Sequence, residues 1–572
     1  MKIELARHSG FCMGVRDAIL TIVEELNTAD EEILVYGPLI HNPQTVSILG
    51  RRGLKTINDL QDIDGKTIAV RTHGIPIEKL RDVKARSKRY LNLTCPRVSR
   101  VQGLIKNYSG RGYYTIIIGD RDHAEVLGLK SYAAAGVTVV SDTRDLDAIP
   151  SAEKYIVVSQ TTQDLDQFST IVAELERRFS GVTVINTICD STHNRQSDIR
   201  DGIARNIDAL VVVGGRESAN TARLAQMGRE CGIKTFHIET EAELESEDFR
   251  GIRHVLVTAG ASTPGWIINN VMERLYEIRY ANSRFFPGPL VKLFDFVLRT
   301  NILSAAAAGL LSLFALRFAG FSADPAPALA SFLYIFAMYT LNNHFEMESL
   351  LIRNPVKYAI QNRFKHILLP AAVLSLGACL YLAVRYEPPI AFGYLLSCVL
   401  GAAYSTRPMK RIVAGTGSRL LQKAYNLKNI VSGFGWLIVT TVLPLAAVKA
   451  GPVVFLAACS YVFALVFFRN ILLDIIAFQG DLIFGMQTFS TMLGVRAAGR
   501  IAIAVSALAG IAFSLTALWV GKAAFVAFLA NLIYFGAVYY RIRSKNYFIA
   551  LKYEMLLDLN FVLFAAIYFT TS

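Results

Sequence analysis

The sequence predicts a parallel α/β domain followed by an all-α polytopic membrane domain. Three observations predict it. Apolar, strand-like runs alternate with helical stretches through residues 1–280. About nine apolar segments approach bilayer-spanning length beyond residue 300. Basic residues gather in alternate loops between those segments. The chain's 572 residues suffice for several domains. Charged residues make up only 18% of it, against about 25% in an ordinary soluble domain. The apolar excess falls in the second half, whereas the first is dense in Asp, Glu, Arg and His.

In the first half, TIAV (67–70), YTIIIGD (114–120), YIVVSQTT (155–162), ALVVVGG (209–215) and HVLVTAGAS (254–262) read as buried strands. Each leads into a loop of Gly, Ser, Thr, Asn or His and then a helical pattern. In sheets of this kind ligands bind at the carboxyl ends of strands. The segment SRFFPGPLVKLFDF (283–296) marks a boundary, so the expected organisation is a domain over 1–282, a linker or interfacial segment over 283–300 and a membrane domain over 301–572.

The expected spans are 302–320, 327–343, 366–384, 389–405, 430–448, 452–470, 500–520, 523–540 and 554–570. The first 15 residues, MKIELARHSGFCMGV, do not read as a signal peptide, so the first half is expected in the cytoplasm. The loops after the even-numbered spans then lie on the cytoplasmic side, and they carry the basic clusters, among them Arg407, Lys410 and Lys428. The net charge of +13 is thereby a topology signal, and no nucleic-acid signature competes with it. The expected location is the inner (cytoplasmic) membrane.

Three cysteines have distinctive settings: Cys12 in SGFCMGV, Cys95 in NLTCPRV and Cys189 in NTICDSTHNRQ. Three thiolates can hold three irons of a [4Fe–4S] cluster and leave the fourth open to substrate. Zinc is the rival, although it usually shows closely paired ligands, and a buried free thiol is the bland reading of any one cysteine. Cys231 in GRECGIK has no special neighbours and reads as packing. Three histidines, His41, His73 and His123, each follow an apolar run and point to one anionic ligand. Ser218, Asn220 and Ser262 add neutral donors at two further strand ends. Glu125, beside His123, reads as either an acid catalyst or a solvated helix-start carboxylate.

GFCMGV, HNP, THG, TCP, GDxxHAEV, SQTT, ICxxTxNRQ, GGxxSANT and TAGASTP occur in this order over residues 1–280. On these strings the segment resembles the 4-hydroxy-3-methylbut-2-enyl diphosphate reductases. The resemblance implies a trefoil of three α/β units around a [4Fe–4S] cluster held by Cys12, Cys95 and Cys189. It implies a substrate diphosphate held by His41, His73, His123, Ser218, Asn220 and Ser262, a proton-donating Glu125, and a Thr161 that orients the substrate hydroxyl. Ala219 stands where some members have serine. With no GxGxxG fingerprint for a flavin or nicotinamide, electrons are expected from an external carrier such as ferredoxin or flavodoxin.

In the second half, LNNHFEMESLLIRNPVK (341–357) and RNILLDIIAFQGDLIFGMQTFSTMLG (469–494) place polar and acidic residues at span ends. Residues 290–572 resemble the UbiA-type intramembrane prenyltransferases, in which two aspartate-rich motifs hold Mg²⁺ against a prenyl diphosphate. Asn342 matches the first motif, with Asn343, Glu346 and Leu350 where aspartates are expected. In the second, Asp474 and Asp481 are kept and Ala477 replaces an aspartate. The expectation is a Mg²⁺-dependent prenyltransferase using Asn342, Glu346, Asp474 and Asp481, assisted by Arg407, Lys410 and Lys428. The alternative is a non-catalytic anchor or lipid-binding scaffold.

Overall fold

The computed structural model describes residues 1–571 apart from 30, 282–287, 323, 348–349, 352–353, 406–427, 484–487, 521 and 544–549. Arg407 and Lys410 lie outside the described residues, as does the side chain of Lys428. The chain forms two compact units, Met1–Asn282 and most of the remainder.

Three four-stranded sheets, every pairing parallel, build the first unit. One has the order β1-β12-β10-β11, from β1 (Lys2–Leu5), β10 (Ala209–Val213), β11 (Lys234–Ile238) and β12 (His254–Ala259). A second runs β3-β2-β4-β5, from β2 (Ile33–Tyr36), β3 (Leu54–Ile57), β4 (Thr67–Val70) and β5 (Arg89–Asn92). The third runs β7-β6-β8-β9, from β6 (Tyr114–Ile118), β7 (Val137–Val140), β8 (Tyr155–Ser159) and β9 (Val182–Val184). Helices cover both faces, so the central strands are continuous β-branched runs; all of Leu210–Val213 is buried. Both ends of the segment share one sheet, because β1 pairs with β12 in register Ile3↔Val255.

Cys12, Cys95 and Cys189 occupy the N-cap positions of helices Met13–Thr28, Pro96–Ser109 and Asp190–Ala204, and none uses its side chain as a cap. Cys231, read from sequence as packing, is exposed. Helix Ala219–Glu230 ends just before it, and Gly232 turns the chain away with φ +71°.

The second unit is helical wherever it forms regular structure among the described residues. Its helices include Ile302–Phe318, Pro325–Phe345, Lys365–Ala383, Pro388–Ser405, Pro452–Ile483, Val495–Val520, Lys522–Arg543 and Ala550–Thr571. Among the described residues, three segments are long and apolar enough to cross a membrane: Lys365–Ala383, Ile430–Ala447 and Pro452–Phe478. Their outer faces stay apolar: Leu374 is 73% exposed and Val453 62%. Large aliphatic side chains presented in such numbers suit a lipid solvent better than water.

The interior of this unit carries charge. Arg469 Nε donates to Asp558 Oδ1 at 2.5 Å, linking helix Pro452–Ile483 to helix Ala550–Thr571. Ser304 donates to the other oxygen of Asp558, Trp436 Nε1 donates to Tyr339 Oη, and the Arg469 guanidinium lies 5.5 Å from the Trp436 ring centroid. Removing one member of a buried pair leaves an uncompensated charge. Asp558→Asn is therefore expected to destabilise the second unit by about 3–5 kcal/mol in detergent-solubilised thermal unfolding. The double change Arg469→Met, Asp558→Leu is expected to restore most of that loss.

Candidate functional site

Each sheet of the first unit sends three loops toward one cavity. In the second sheet, His41 follows β2, His73 follows β4 and Cys95 follows β5. In the third, His123 and Glu125 follow β6, Thr161 follows β8 and Cys189 follows β9. In the first, Ser218 and Asn220 follow β10, Ser262 follows β12 and Cys12 follows β1. All of these residues line a cavity of about 720 Å³, part of it open to solvent. Every site residue expected in this half is thus brought together.

Each of the three cysteines is tied to a neighbouring cavity loop by a backbone bond. Cys12 N–H donates to Ala261 O (3.0 Å), Cys95 N–H to Thr72 O (2.9 Å) and Cys189 N–H to Thr161 O (2.9 Å). Each bond lies just beyond a parallel strand pair: β1 with β12, β5 with β4, and β9 with β8. The cysteines crowd one another. A Cβ built on Gly14 would sit 2.4 Å from Cys95 Sγ, so the helix opened by Cys12 starts against the Cys95 sulfur, and only glycine fits there. Burial pushes the Cys95 and Cys189 thiols up, and charge on neighbouring cysteines pushes them the same way. Two half-buried thiols whose pKa values rise beside a third cysteine are a donor set in want of a cation, and a [4Fe–4S] cluster with three thiolate ligands fits it.

The histidines pack with ring centroids 4.7 Å (His41–His73), 5.5 Å (His73–His123) and 6.2 Å (His41–His123) apart. Gly74, with φ +71°, turns the chain just after His73. Burial is the first reason that all three pKa values fall, followed by the positive charge of their neighbours. His73 drops well below the usual value and His123 drops to about 4. His123 Nδ1 accepts the Glu125 N–H at 3.2 Å, so its neutral ring carries the proton on Nε2. His41 Nε2 and both polar side-chain atoms of Asn220 are buried without a partner. Such orphaned groups mark where a polar ligand binds. One nitrogen from each histidine lies within 4.8 Å of the others, a spacing that could also suit a metal ion. Ser218 and Asn220 at the start of helix Ala219–Glu230, together with Ser262, favour an oxyanion instead.

Glu125 is buried, not solvated. Thr161 donates its N–H to Oε1 (2.7 Å) and its hydroxyl to Oε2 (2.9 Å). Burial outweighs these two bonds and lifts the carboxyl pKa to about 7. Glu125 is therefore poised to give up a proton near neutrality, next to the threonine expected to orient a hydroxyl.

The LytB protein family model matches residues 3–276. The 4-hydroxy-3-methylbut-2-enyl diphosphate reductase of Geobacter sulfurreducens is 40% identical over 277 residues, which is 48% of this chain and 98% of that protein. The chain belongs to the LytB family. Its LytB half is also similar to a solved structure of (E)-4-hydroxy-3-methyl-but-2-enyl diphosphate reductase, 35% identical, covering 48% of this chain and all of that one, with a TM-score of 0.39. A UbiA homolog from Archaeoglobus fulgidus, solved bound to GPP and Mg²⁺, is 14% identical, covering 48% of this chain and 98% of that one, with a TM-score of 0.34.

In the second unit, Asp474 and Asp481 are buried two turns apart on helix Pro452–Ile483 and share a face. Asn342 lies near the end of helix Pro325–Phe345, and Glu346 caps that helix with its N–H on Asn342 O. Among the described residues, no three carboxylate or imidazole ligand atoms of this unit lie within 4.8 Å of one another. Sequence reading gave Asp558 no role; the signal was an ionisable residue inside an apolar span.

In the LytB half, a bound diphosphate would favour the protonated forms of His41 and His73. Their pKa values, lowered by burial, then rise on binding, and the complex holds more protons than the free protein. Diphosphate is accordingly expected to bind more tightly at pH 6 than at pH 8, with proton uptake seen by calorimetry in buffers of different ionisation heat. His73→Gln is expected to flatten that dependence.

Proposed function

We propose that the LytB half carries out the reductive dehydroxylation of 4-hydroxy-3-methylbut-2-enyl diphosphate to isopentenyl and dimethylallyl diphosphates. The observation that carries this is the convergence of the three cysteines, each bonded through its backbone to a neighbouring cavity loop, on one cavity that also holds a protonatable Glu125. In the reaction an allylic C–O bond breaks, the oxygen leaves as water and a C–H bond forms. The balance takes up two electrons and two protons.

Cys12, Cys95 and Cys189 would hold a [4Fe–4S] cluster, which when bound supplies electrons and a Lewis-acidic iron toward the hydroxyl. His41, His73, His123, Ser218, Asn220 and Ser262 grip the diphosphate and keep it at one end of the cavity. His123 donates from Nε2 while neutral. Thr161 orients the hydroxyl, and Glu125 supplies protons as an acid held near its working pH. The electrons come from a soluble carrier of the ferredoxin or flavodoxin type.

For the second unit we propose a UbiA-type prenyltransferase of about nine spans, lying in the inner membrane with the LytB half in the cytoplasm. The support is the retained pair Asp474 and Asp481 and the basic loops on one side. Mg²⁺ would be shared by these aspartates with Asn342 and Glu346, and Arg407, Lys410 and Lys428 would meet the diphosphate. Leu350 and Ala477 favour the second reading, a lipid-bound anchor for the reductase, because neither can ligate a metal.

Three experiments test these readings. Glu125→Gln is expected to lower kcat with 4-hydroxy-3-methylbut-2-enyl diphosphate by roughly 10²–10⁴-fold. Because the acid must be protonated, wild-type kcat is expected to fall about tenfold per pH unit above about 7. For the membrane unit, Asp474→Ala, Asp481→Ala is expected to abolish transfer of a labelled prenyl group into membrane lipid. A wild type with no transfer to lose makes the unit an anchor.

A further inference from the structure

Six residues after each cluster cysteine stands a buried residue on the helix that the cysteine opens. Two of the three are apolar, Ala18 and Val101; the third is Arg195. The near-threefold arrangement of the cavity is thus broken by a single buried cation. Its guanidinium donates to Ala259 O (3.1 Å), Ser191 O (2.8 Å) and Gly10 O, and also meets the Ser191 hydroxyl. These acceptors come from the end of β12, the start of the Cys189 helix and the loop two residues before Cys12. All are neutral oxygens, so no contact in this set cancels the charge. Burial works against that charge, and the negative groups that favour it are Cys12, then Cys189, then Asp198. Asp198 is itself engaged by the His8 N–H at 2.6 Å.

We propose that Arg195 is a positioning residue that sets the reduction potential of the cluster, by fixing one positive charge beside the Cys12 and Cys189 sulfurs. The inference rests on the cluster reading above. A cluster gaining an electron becomes more negative, and a nearby fixed cation in a low-dielectric interior favours the reduced state. The planar fork also explains why arginine stands there: three carbonyls from three segments must be held at once.

The test is an EPR-monitored redox titration of the anaerobically prepared full chain. At the wild-type midpoint potential, Arg195→Gln is expected to lower the ratio of reduced to oxidised cluster about tenfold, which for one electron is ~59 mV. Arg195→Lys keeps the charge and is expected to stay within about threefold of wild type. Asp198→Asn removes the carboxylate that offsets the cation and is expected to raise the ratio. The proposal is overturned if Arg195→Gln with full iron content titrates at the wild-type potential, or if Arg195→Lys falls as far as Arg195→Gln. Should Arg195→Gln assemble no cluster, an unchanged midpoint in Asp198→Asn overturns it. A wild type without iron removes the cluster reading itself, and this proposal with it. A normal cluster with an insensitive midpoint removes only the role of Arg195.

Discussion

Three backbone hydrogen bonds, Cys12 to Ala261, Cys95 to Thr72 and Cys189 to Thr161, hold the site together. Those of Cys95 and Cys189 continue a parallel strand pairing in register past the strand ends, and that of Cys12 closes the loop after β1 back onto the segment that follows β12. A parallel ladder has evenly spaced, slanted bonds, so a further bond beyond its end places the two chains in a fixed relation. One segment then opens a helix with a cysteine at its N-cap, and the other carries a cavity-lining residue: Ser262, His73 or Thr161 itself. In each of the three sheets this sets one cysteine beside polar residues of the shared cavity. The Ser262 hydroxyl, which donates to His41 O at 3.0 Å, then ties one sheet's loop to another's.

The electrostatics follow from the same convergence. Three imidazoles brought together and buried cannot all stay charged, so they sit neutral until an anion arrives. The Glu125 carboxyl, buried in the same cavity, loses its hydration and keeps its proton to near pH 7, despite two hydrogen bonds from Thr161. The cavity therefore holds a ready acid and weakly basic anion binders, a division of roles set by burial. Arg195 is the exception, a buried group that cannot shed its charge at any ordinary pH.

Much of this was legible in the sequence. The runs read as strands are β4, β6, β8, β10 and β12, five of the six central strands, because burial on both faces leaves an unbroken apolar signature. The sixth, β2, was passed over because ILVY is four residues long and runs straight into GPLIHNP. The edge strands β1, β5 and β9 were missed because they are short and partly exposed, as in KIEL and RYLN. They are the strands that deliver the cysteines, so the sequence showed which residues matter and not how they meet. The roles of Arg195 and Asp558 were hidden because each depends on partners far away in the chain. In the membrane unit the apolar segments were plain, whereas the fate of Arg469 was not: from sequence it was one basic residue among many, and in the fold it is sealed against Asp558.

The account stands on three thiolates sharing one inorganic cluster with an open corner. Mössbauer spectroscopy of ⁵⁷Fe-enriched protein, prepared without oxygen, tests that most directly. The account predicts about four irons and about four sulfides per chain, with one iron site distinct from the other three and altered when substrate is added. A protein that carries zinc in place of iron, or whose iron content survives Cys95→Ser unchanged, contradicts it.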